Sequence, residues 1–162
     1  LEDVFRSALK RKFGDDDNPA WVHISYVNED ENRHRCLKAY KDKGVTWLSV
    51  CSSAEGKQGN FSSSELKKIH AKNGAQPSAY LIDASGLVGK AYGAKVTPHI
   101  FIIDKSGSLA YQGGIDSKKS TKASDIASAE PYVKNALDEL LAGKSVTTTK
   151  TKAYGCSVKY AK

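Results

Sequence analysis

The sequence contains little cysteine, and no two cysteines form a Cys-x-x-Cys pair. Its three cysteines, Cys36, Cys51 and Cys156, are an odd number, so they cannot all pair within the chain. Their spacing argues against a small secreted fold held together by disulfides. Because no His or Cys pair has the spacing of zinc ligands, we expect neither a structural metal nor a bound cofactor.

Long hydrophobic runs are also missing. No run approaches the roughly 18 apolar residues of a membrane-spanning helix, so we expect no transmembrane segment. The hydrophobic region of a signal peptide is absent as well. The sequence begins at Leu1 and contains no Met. We therefore expect that a preceding segment has been removed, as in an exported (periplasmic) or organellar protein.

The composition is that of a globular domain with a basic surface. The chain has 162 residues, of which 40% are hydrophobic and 27% charged, and its net charge is +7. The lysines are scattered along the chain and are densest near its end, without an RNA-reading aromatic motif. We therefore expect a protein partner rather than nucleic acid, with an acidic protein or membrane headgroups as the alternatives that suit a basic surface.

Hydrophobic periodicity predicts alternating strands and helices. An amphipathic helix and a loop occupy residues 1–18, a core domain spans residues 19–143, and a tail spans residues 144–162. Ser62-x-x-Glu65 is a capping box that opens a helix. The predicted strands are 21–27, 45–50, 79–82, 99–103 and 109–112, and the other helices are 28–43, 86–92 and a final one whose apolar stripe runs over 129–141.

Two tetrapeptides with the same pattern each follow an isoleucine. Residues 83–86 read Asp-Ala-Ser-Gly and residues 104–107 read Asp-Lys-Ser-Gly. Their flanking sequences differ, which argues against an internal repeat. We interpret the similarity as shared turn chemistry, since Asp, Ser and Gly all favour turns.

The predicted order of elements indicates an α/β fold with a mixed central sheet flanked by helices. Pro98 opens the apolar strand 99–103, where a missing N–H must be tolerated. Five segments resemble the peroxiredoxin-like redoxins of the thioredoxin superfamily: residues 90–99 (KAYGAKVTPH), 103–107 (IDKSG), 109–116 (LAYQGGID), 136–144 (ALDELLAGK) and 151–160 (TKAYGCSVKY). This resemblance implies a thioredoxin-like fold with a cis Thr97–Pro98 bond facing the redox site.

The sequence departs from that family at the expected nucleophile. Family members place a cysteine after the first core strand, in the pattern Asn-x-Asp-Cys-Pro at a helix start. There the helix dipole and free N–H groups stabilise a thiolate. Asn28 and Asp30 match this pattern, but Glu31 stands at the cysteine position and Asn32 at the proline position. We interpret Glu31 as the position of a lost nucleophile, where an acid now stabilises the helix.

The three cysteines that remain are the candidate catalytic residues. Cys36 lies on the apolar side of its predicted helix, which favours core packing. Cys51 ends the second strand and is expected at the same edge of the sheet as the lost site. Cys156 belongs to the tail, where it is either a resolving or partner-linking thiol or a residue packed inward. His99, next to Pro98, is interpreted as a hydrogen-bonded structural histidine.

Two functions follow from this sequence. The first, which the missing nucleophile favours, is a non-catalytic pseudoenzyme that acts as an interaction or accessory subunit. The alternative is a thiol-disulfide oxidoreductase or weak peroxidase that uses Cys51, Cys36 or Cys156. Fold analogy alone does not decide whether the protein is an enzyme.

Overall fold

A computed structural model describes residues 20–25, 40, 43–72, 77–120 and 123–162, with only the backbone for 20–25, 69–72, 123 and 126. The predicted N-terminal helix, Glu31 and Cys36 lie outside the described residues. Of the predicted helix 28–43, Tyr40 is helical, and the turn that follows contains Gly44 with a φ of 76°.

Five strands form one mixed sheet. They are β1 (Ala20–Ser25), β2 (Val45–Cys51), β3 (Ala79–Ile82), β5 (His99–Ile103) and β6 (Leu109–Gly113), in the order β3-β2-β1-β5-β6. β1, β2 and β3 are parallel to one another, whereas β5 is antiparallel to β1 and to β6. This arrangement confirms the predicted α/β class.

The register sets which loops lie together. Ser25, the last residue of β1, pairs with His99, the first residue of β5. The strands β2 and β3 run in the same direction as β1. One end of the sheet therefore contains the last residues of β1, β2 and β3 and the first residue of β5. We call it the carboxyl end of the sheet.

The described helices are α1 (Ser63–Lys72), α2 (Leu87–Ala91) and α3 (Tyr132–Leu141), with a 3₁₀ helix at Ala123–Ser128. None of them is long and apolar enough to cross a membrane. The predicted capping box is present at α1. The Ser62 N–H donates to Glu65 Oε2 at 2.8 Å, and the Glu65 N–H donates to Ser62 Oγ at 3.3 Å.

The final helix begins later than its apolar stripe predicts. Pro131 is the N-cap of α3, so Ala129 precedes the helix instead of belonging to it. Proline disfavours helical geometry in the residue before it but suits the first turn of a helix. The predicted helix is therefore too long at its amino end.

A hydrophobic core fills the space between the sheet and α3. Ile100 and Ile102 alternate along β5 and face this core, and both are completely buried. Tyr40 reaches α3 through a 2.8 Å hydrogen bond from its hydroxyl to Asp138. The buried members of the core are Tyr40, Val45, Trp47, Ile100, Ile102, Tyr111, Val133, Ala136 and Leu137.

The C-terminal tail packs along the sheet. Lys150 forms a parallel bridge with Gln112 on β6. The buried Tyr111 hydroxyl lies 2.6 Å from Thr151 Oγ1, and burial raises the pKa of Tyr111 to about 12 against the lowering effect of that contact. Further on, the tail forms β7 (Cys156–Ser157), which pairs with the short strand β4 (Val96–Thr97). The domain boundary at residue 144 stays a prediction.

Candidate functional site at the carboxyl end of the sheet

The loop before β5 is the first feature of the carboxyl end. The Thr97–Pro98 peptide bond is cis, as predicted. Since Ser25 pairs with His99, the segment after β1 leaves the sheet beside this loop. In α/β sheets, ligands bind where the loops after the parallel strands converge. The carboxyl end is therefore the candidate site.

Cys51 lies at this end but is enclosed. It is the last residue of β2, and its side chain is only 3% exposed. The thiol donates a hydrogen bond to the Gly59 carbonyl at 3.1 Å. That carbonyl belongs to the loop 54–60, so a substrate reaches the sulfur only if this loop moves.

Tyr80 is a neighbour of Cys51 that the sequence did not indicate. Tyr80 lies on β3 and pairs with Ser49 on the adjacent strand β2. Burial, together with the Cys51 thiol, raises the pKa of Tyr80 well above its usual range. The tyrosine is therefore neutral at physiological pH and offers Cys51 no charge.

Cys156 has the opposite setting. It pairs with Thr97, the residue directly before the cis proline, where β7 lies beside β4. Its side chain is exposed. The preceding Gly155 has a φ of 137°, and a Cβ there would overlap the Thr97 carbonyl. Only glycine allows this close approach, which brings the thiol to the loop.

A buried carboxylate supports the loop after β3. The side chain of Asp83 is 8% exposed and accepts hydrogen bonds from Ser52 Oγ at 2.8 Å and from the Gly89 N–H at 2.9 Å. Its own N–H donates to the Cys51 carbonyl at 2.7 Å. Asp83 thus ties the ends of β2 and β3 to α2.

The turn that begins at Asp83 has the geometry expected from the tetrapeptide pattern in the sequence. The N–H of Gly86 donates to the Asp83 carbonyl, and the N–H of Gly107 donates to the Asp104 carbonyl, with φ values of 70° and 87°. The prediction of shared turn chemistry is confirmed. Asp83 is buried, whereas Asp104 is half-buried and accepts hydrogen bonds from the N–H groups of Ser106 and Ser108. Nothing in the tetrapeptides indicated this difference.

Tyr160, in the tail, is a further residue that sequence reasoning missed. Its hydroxyl donates to the Ala94 carbonyl at 2.7 Å. Its ring fills the space that a Cβ on Gly86 would need, and its hydroxyl oxygen, with the Ser52 side chain, fills the space that a Cβ on Gly89 would need. Burial, together with the charge of Asp83, raises the pKa of Tyr160. The high tyrosine content of the tail motif was the only signal available.

His99 contacts neighbouring residues through both its ring nitrogen and its ring face. Its Nδ1 accepts a hydrogen bond from the Lys95 N–H at 3.4 Å, and its ring lies 4.4 Å from that of Phe101. Burial, followed by the charge of Lys95, holds the pKa of His99 below its ordinary value of 6.5. These contacts suit a neutral structural histidine.

The structure brings Thr97, Pro98 and Cys156 together and places Cys51 at the same end of the sheet, beneath a loop. Among the described residues, no group of three or more His, Cys, Asp or Glu side chains could hold a metal ion. The described part of the site therefore presents one accessible thiol and a strand edge that the tail already occupies.

Comparisons with known proteins identify the fold. No family model matches the chain. No curated protein matches it either. A solved structure of an uncharacterized conserved protein from Geobacillus kaustophilus is 26% identical, with a TM-score of 0.75, over 89% of this chain and 78% of that one.

Two less similar solved structures share the fold. A thioredoxin-like protein from Aeropyrum pernix is 15% identical with a TM-score of 0.51, over 78% of this chain and 93% of that one. A protein described as a thiol:disulfide interchange protein DsbE, from Chlorobium tepidum, is 17% identical with a TM-score of 0.52, over 77% and 82% of the two chains. With its mixed sheet and cis Thr97–Pro98 loop, the chain has a thioredoxin-like fold, the fold of the thioredoxin superfamily.

Proposed function

We propose that this protein is a non-catalytic member of the peroxiredoxin-like redoxins and acts as an interaction or accessory subunit. The observation that carries the proposal is the closure of the carboxyl end. Cys51, the cysteine at the end of a core strand, is buried under the loop 54–60, and the tail covers the strand edge beside Pro98.

The sequence supports the same conclusion. Glu31 occupies the position at which the resemblance places the nucleophile. A carboxylate cannot form the sulfenic acid or mixed disulfide through which such a cysteine acts. Cys51 ends a strand and Cys156 lies in the short strand β7, so neither has the helix start that stabilises a thiolate.

Turnover assays test this proposal. We expect peroxide consumption and disulfide reduction with a thioredoxin-type reductant to stay near background, far below the roughly 1 s⁻¹ of ordinary enzymes. Cys51→Ser and Cys36→Ser should leave that background unchanged. Turnover near 1 s⁻¹ that either substitution abolished would overturn the non-catalytic assignment.

The exposure of Cys156 favours a second candidate function, thiol–disulfide exchange. The Cys156 thiolate would attack one sulfur of a protein or small-molecule disulfide. A new S–S bond forms, the old one breaks, and the departing sulfur leaves as a thiolate that takes up a proton. With glutathione disulfide as the probe, exchange at a catalytic rate that Cys156→Ser abolishes would establish this function in place of the first.

A further inference from the structure

The last eight residues form a strap across the carboxyl end. We define the strap as residues 155–162. The Val158 N–H donates to the Lys95 carbonyl at 3.1 Å, next to the β4–β7 pairing. The Ala54 N–H, beyond the end of β2, donates to the Lys159 carbonyl at 2.8 Å. The strap thus binds as an added strand whose main chain contacts two separate loops.

One aromatic side chain anchors the strap. The ring of Tyr160 lies 2.5 Å from the place of a Cβ on Gly86, and its hydroxyl oxygen lies 2.7 Å from the place of a Cβ on Gly89. The Lys90 ammonium lies 5.6 Å from the centre of this ring and 3.3 Å from the Ala161 carbonyl. Two glycines, the Ala94 carbonyl and Lys90 therefore form a socket for one aromatic residue of an extended peptide.

The surface beside the strap and the strap itself are both positively charged. In the part of this surface that the structure describes, the loops and helix beside the strap carry three exposed lysines, Lys57, Lys90 and Lys95, against one exposed acid, Glu55. The strap adds two more cations, Lys159 and Lys162. Lys159 Nζ lies 2.7 Å from Ser157 Oγ, within the strap itself. Like charges at this surface weaken binding, and acidic residues at the same places would strengthen it.

We propose that the strap is a displaceable occupant of a docking site for an acidic, extended segment of a partner protein. That segment adds a strand to β4 and places an aromatic residue in the Tyr160 socket. This inference rests on the proposed interaction function and gives its partner a chemistry. A tethered strap competes at an effective concentration in the millimolar range, so an acidic competitor needs the advantage of its charge.

Hydrogen exchange at Ala54 tests the anchor, because this N–H lies outside the strap but donates to it. In the full chain, Tyr160→Ala should raise the exchange rate of the Ala54 amide by about tenfold, whereas Tyr160→Phe should change it little. Gly155→Ala should act like Tyr160→Ala. Its matched control is Gly143→Ala, at a φ of 72° with nothing within 4 Å of the added Cβ. Unchanged exchange of the Ile100 and Ile102 amides reports that each variant is folded.

Three peptides then probe the vacated site in the full-length Tyr160→Ala chain. The first has the sequence of residues 153–162 with serine at the cysteine. The second also replaces both lysines by glutamate, and the third is the first peptide with alanine in place of Tyr160. The acidic peptide should bind about fivefold more tightly than the first, lose this advantage in about 0.5 M salt, and restore slow exchange at Ala54. The peptide with alanine in place of Tyr160 should not bind.

Several results would overturn the inference. Exchange at Ala54 that stays slow in both Tyr160→Ala and Gly155→Ala would show that the strap is not held in this way. Equal binding of peptides with and without Tyr160 would exclude the socket, and tighter binding of the basic peptide would exclude an acidic partner. A dimer of the Tyr160→Ala chain that any peptide dissociates would assign the site to a second copy. Because these outcomes are independent of turnover, they separate this inference from the proposed function.

Discussion

Cys51 and Cys156 lie at the same end of one sheet, yet their surroundings are opposite. Cys51 ends a core strand, is 3% exposed and donates to the Gly59 carbonyl. Cys156 lies in a two-residue strand of the tail, is exposed and pairs with Thr97. The cysteine nearer the core of the fold is the less accessible one, and the accessible one is supplied by a segment added to the fold.

This contrast shows that position on a thioredoxin-like sheet does not by itself make a thiol reactive. Reactivity needs access, and the loop 54–60 removes access from Cys51. It also needs stabilisation of the thiolate, which a helix start supplies. A redox function at this end of the sheet therefore depends on the loops and the tail more than on the strands.

Alkylation of the native protein should separate the two thiols by the largest factor. We expect Cys51 to react on the order of 10³-fold more slowly than Cys156 with a neutral maleimide, because its sulfur is reached only when the loop 54–60 opens. Mass spectrometry of each cysteine over time measures the ratio. In denaturant the two rates should converge, and similar rates in the native protein would contradict the buried setting of Cys51.

Removing the carboxylate that ties β2 and β3 to α2 should weaken the Cys51 side. Asp83→Ala leaves the buried Ser52 hydroxyl and the Gly89 N–H without their acceptor, which should lower the free energy of unfolding by about 2–3 kcal/mol. The matched control is Asp104→Ala, in the same turn pattern on the surface, which should cost less than about 1 kcal/mol.

Denaturant unfolding gives both values, and alkylation of Cys51 should speed up in Asp83→Ala alone. Equal losses of stability in the two variants would mean that the burial of Asp83 contributes nothing.

The smallest effect concerns pH and the loop that holds Cys156. Because the pKa of His99 is lowered by burial and by Lys95, the unfolded chain takes up the proton more readily than the folded one. The contribution of neutral His99 to stability is therefore complete above the unfolded value of about 6.5 and is lost as the pH falls through the folded pKa.

His99→Gln removes this titration, so its stability should fall less than that of the native protein between about pH 7 and pH 5. Urea unfolding at a series of pH values measures the difference. Parallel pH profiles for the two proteins would show that His99 titrates alike in both states.

Several elements could be predicted from local sequence. The strands at Ala79–Ile82 and His99–Ile103 have the predicted bounds, and the capping box at Ser62 and Glu65 forms as expected. These succeed because strand periodicity and capping depend on neighbours in the chain. The missed start of α3 has a local cause too, since Pro131 outweighs the apolar stripe around Ala129.

The site was less predictable because its contacts join distant parts of the chain. Tyr160 bonds to Ala94 across 66 residues, and Ser52 bonds to Asp83 across 31. The sequence shows that these residues are polar, but not which of them will be buried together. The candidate catalytic roles of Cys51, Cys36 and Cys156 and the lost-nucleophile position of Glu31 stay predictions.

The sequence by itself determined the α/β class, the cis geometry at Thr97–Pro98 and the shared turns at Asp83 and Asp104, since these follow from periodicity, a recognisable motif and turn chemistry. The tertiary structure alone decided that Cys51 is enclosed, that Cys156 lies opposite Thr97 and that Tyr160 fills a socket lined by Gly86 and Gly89. The physical reason is that burial and strand pairing depend on which remote segments meet, and no local pattern in the chain encodes that choice.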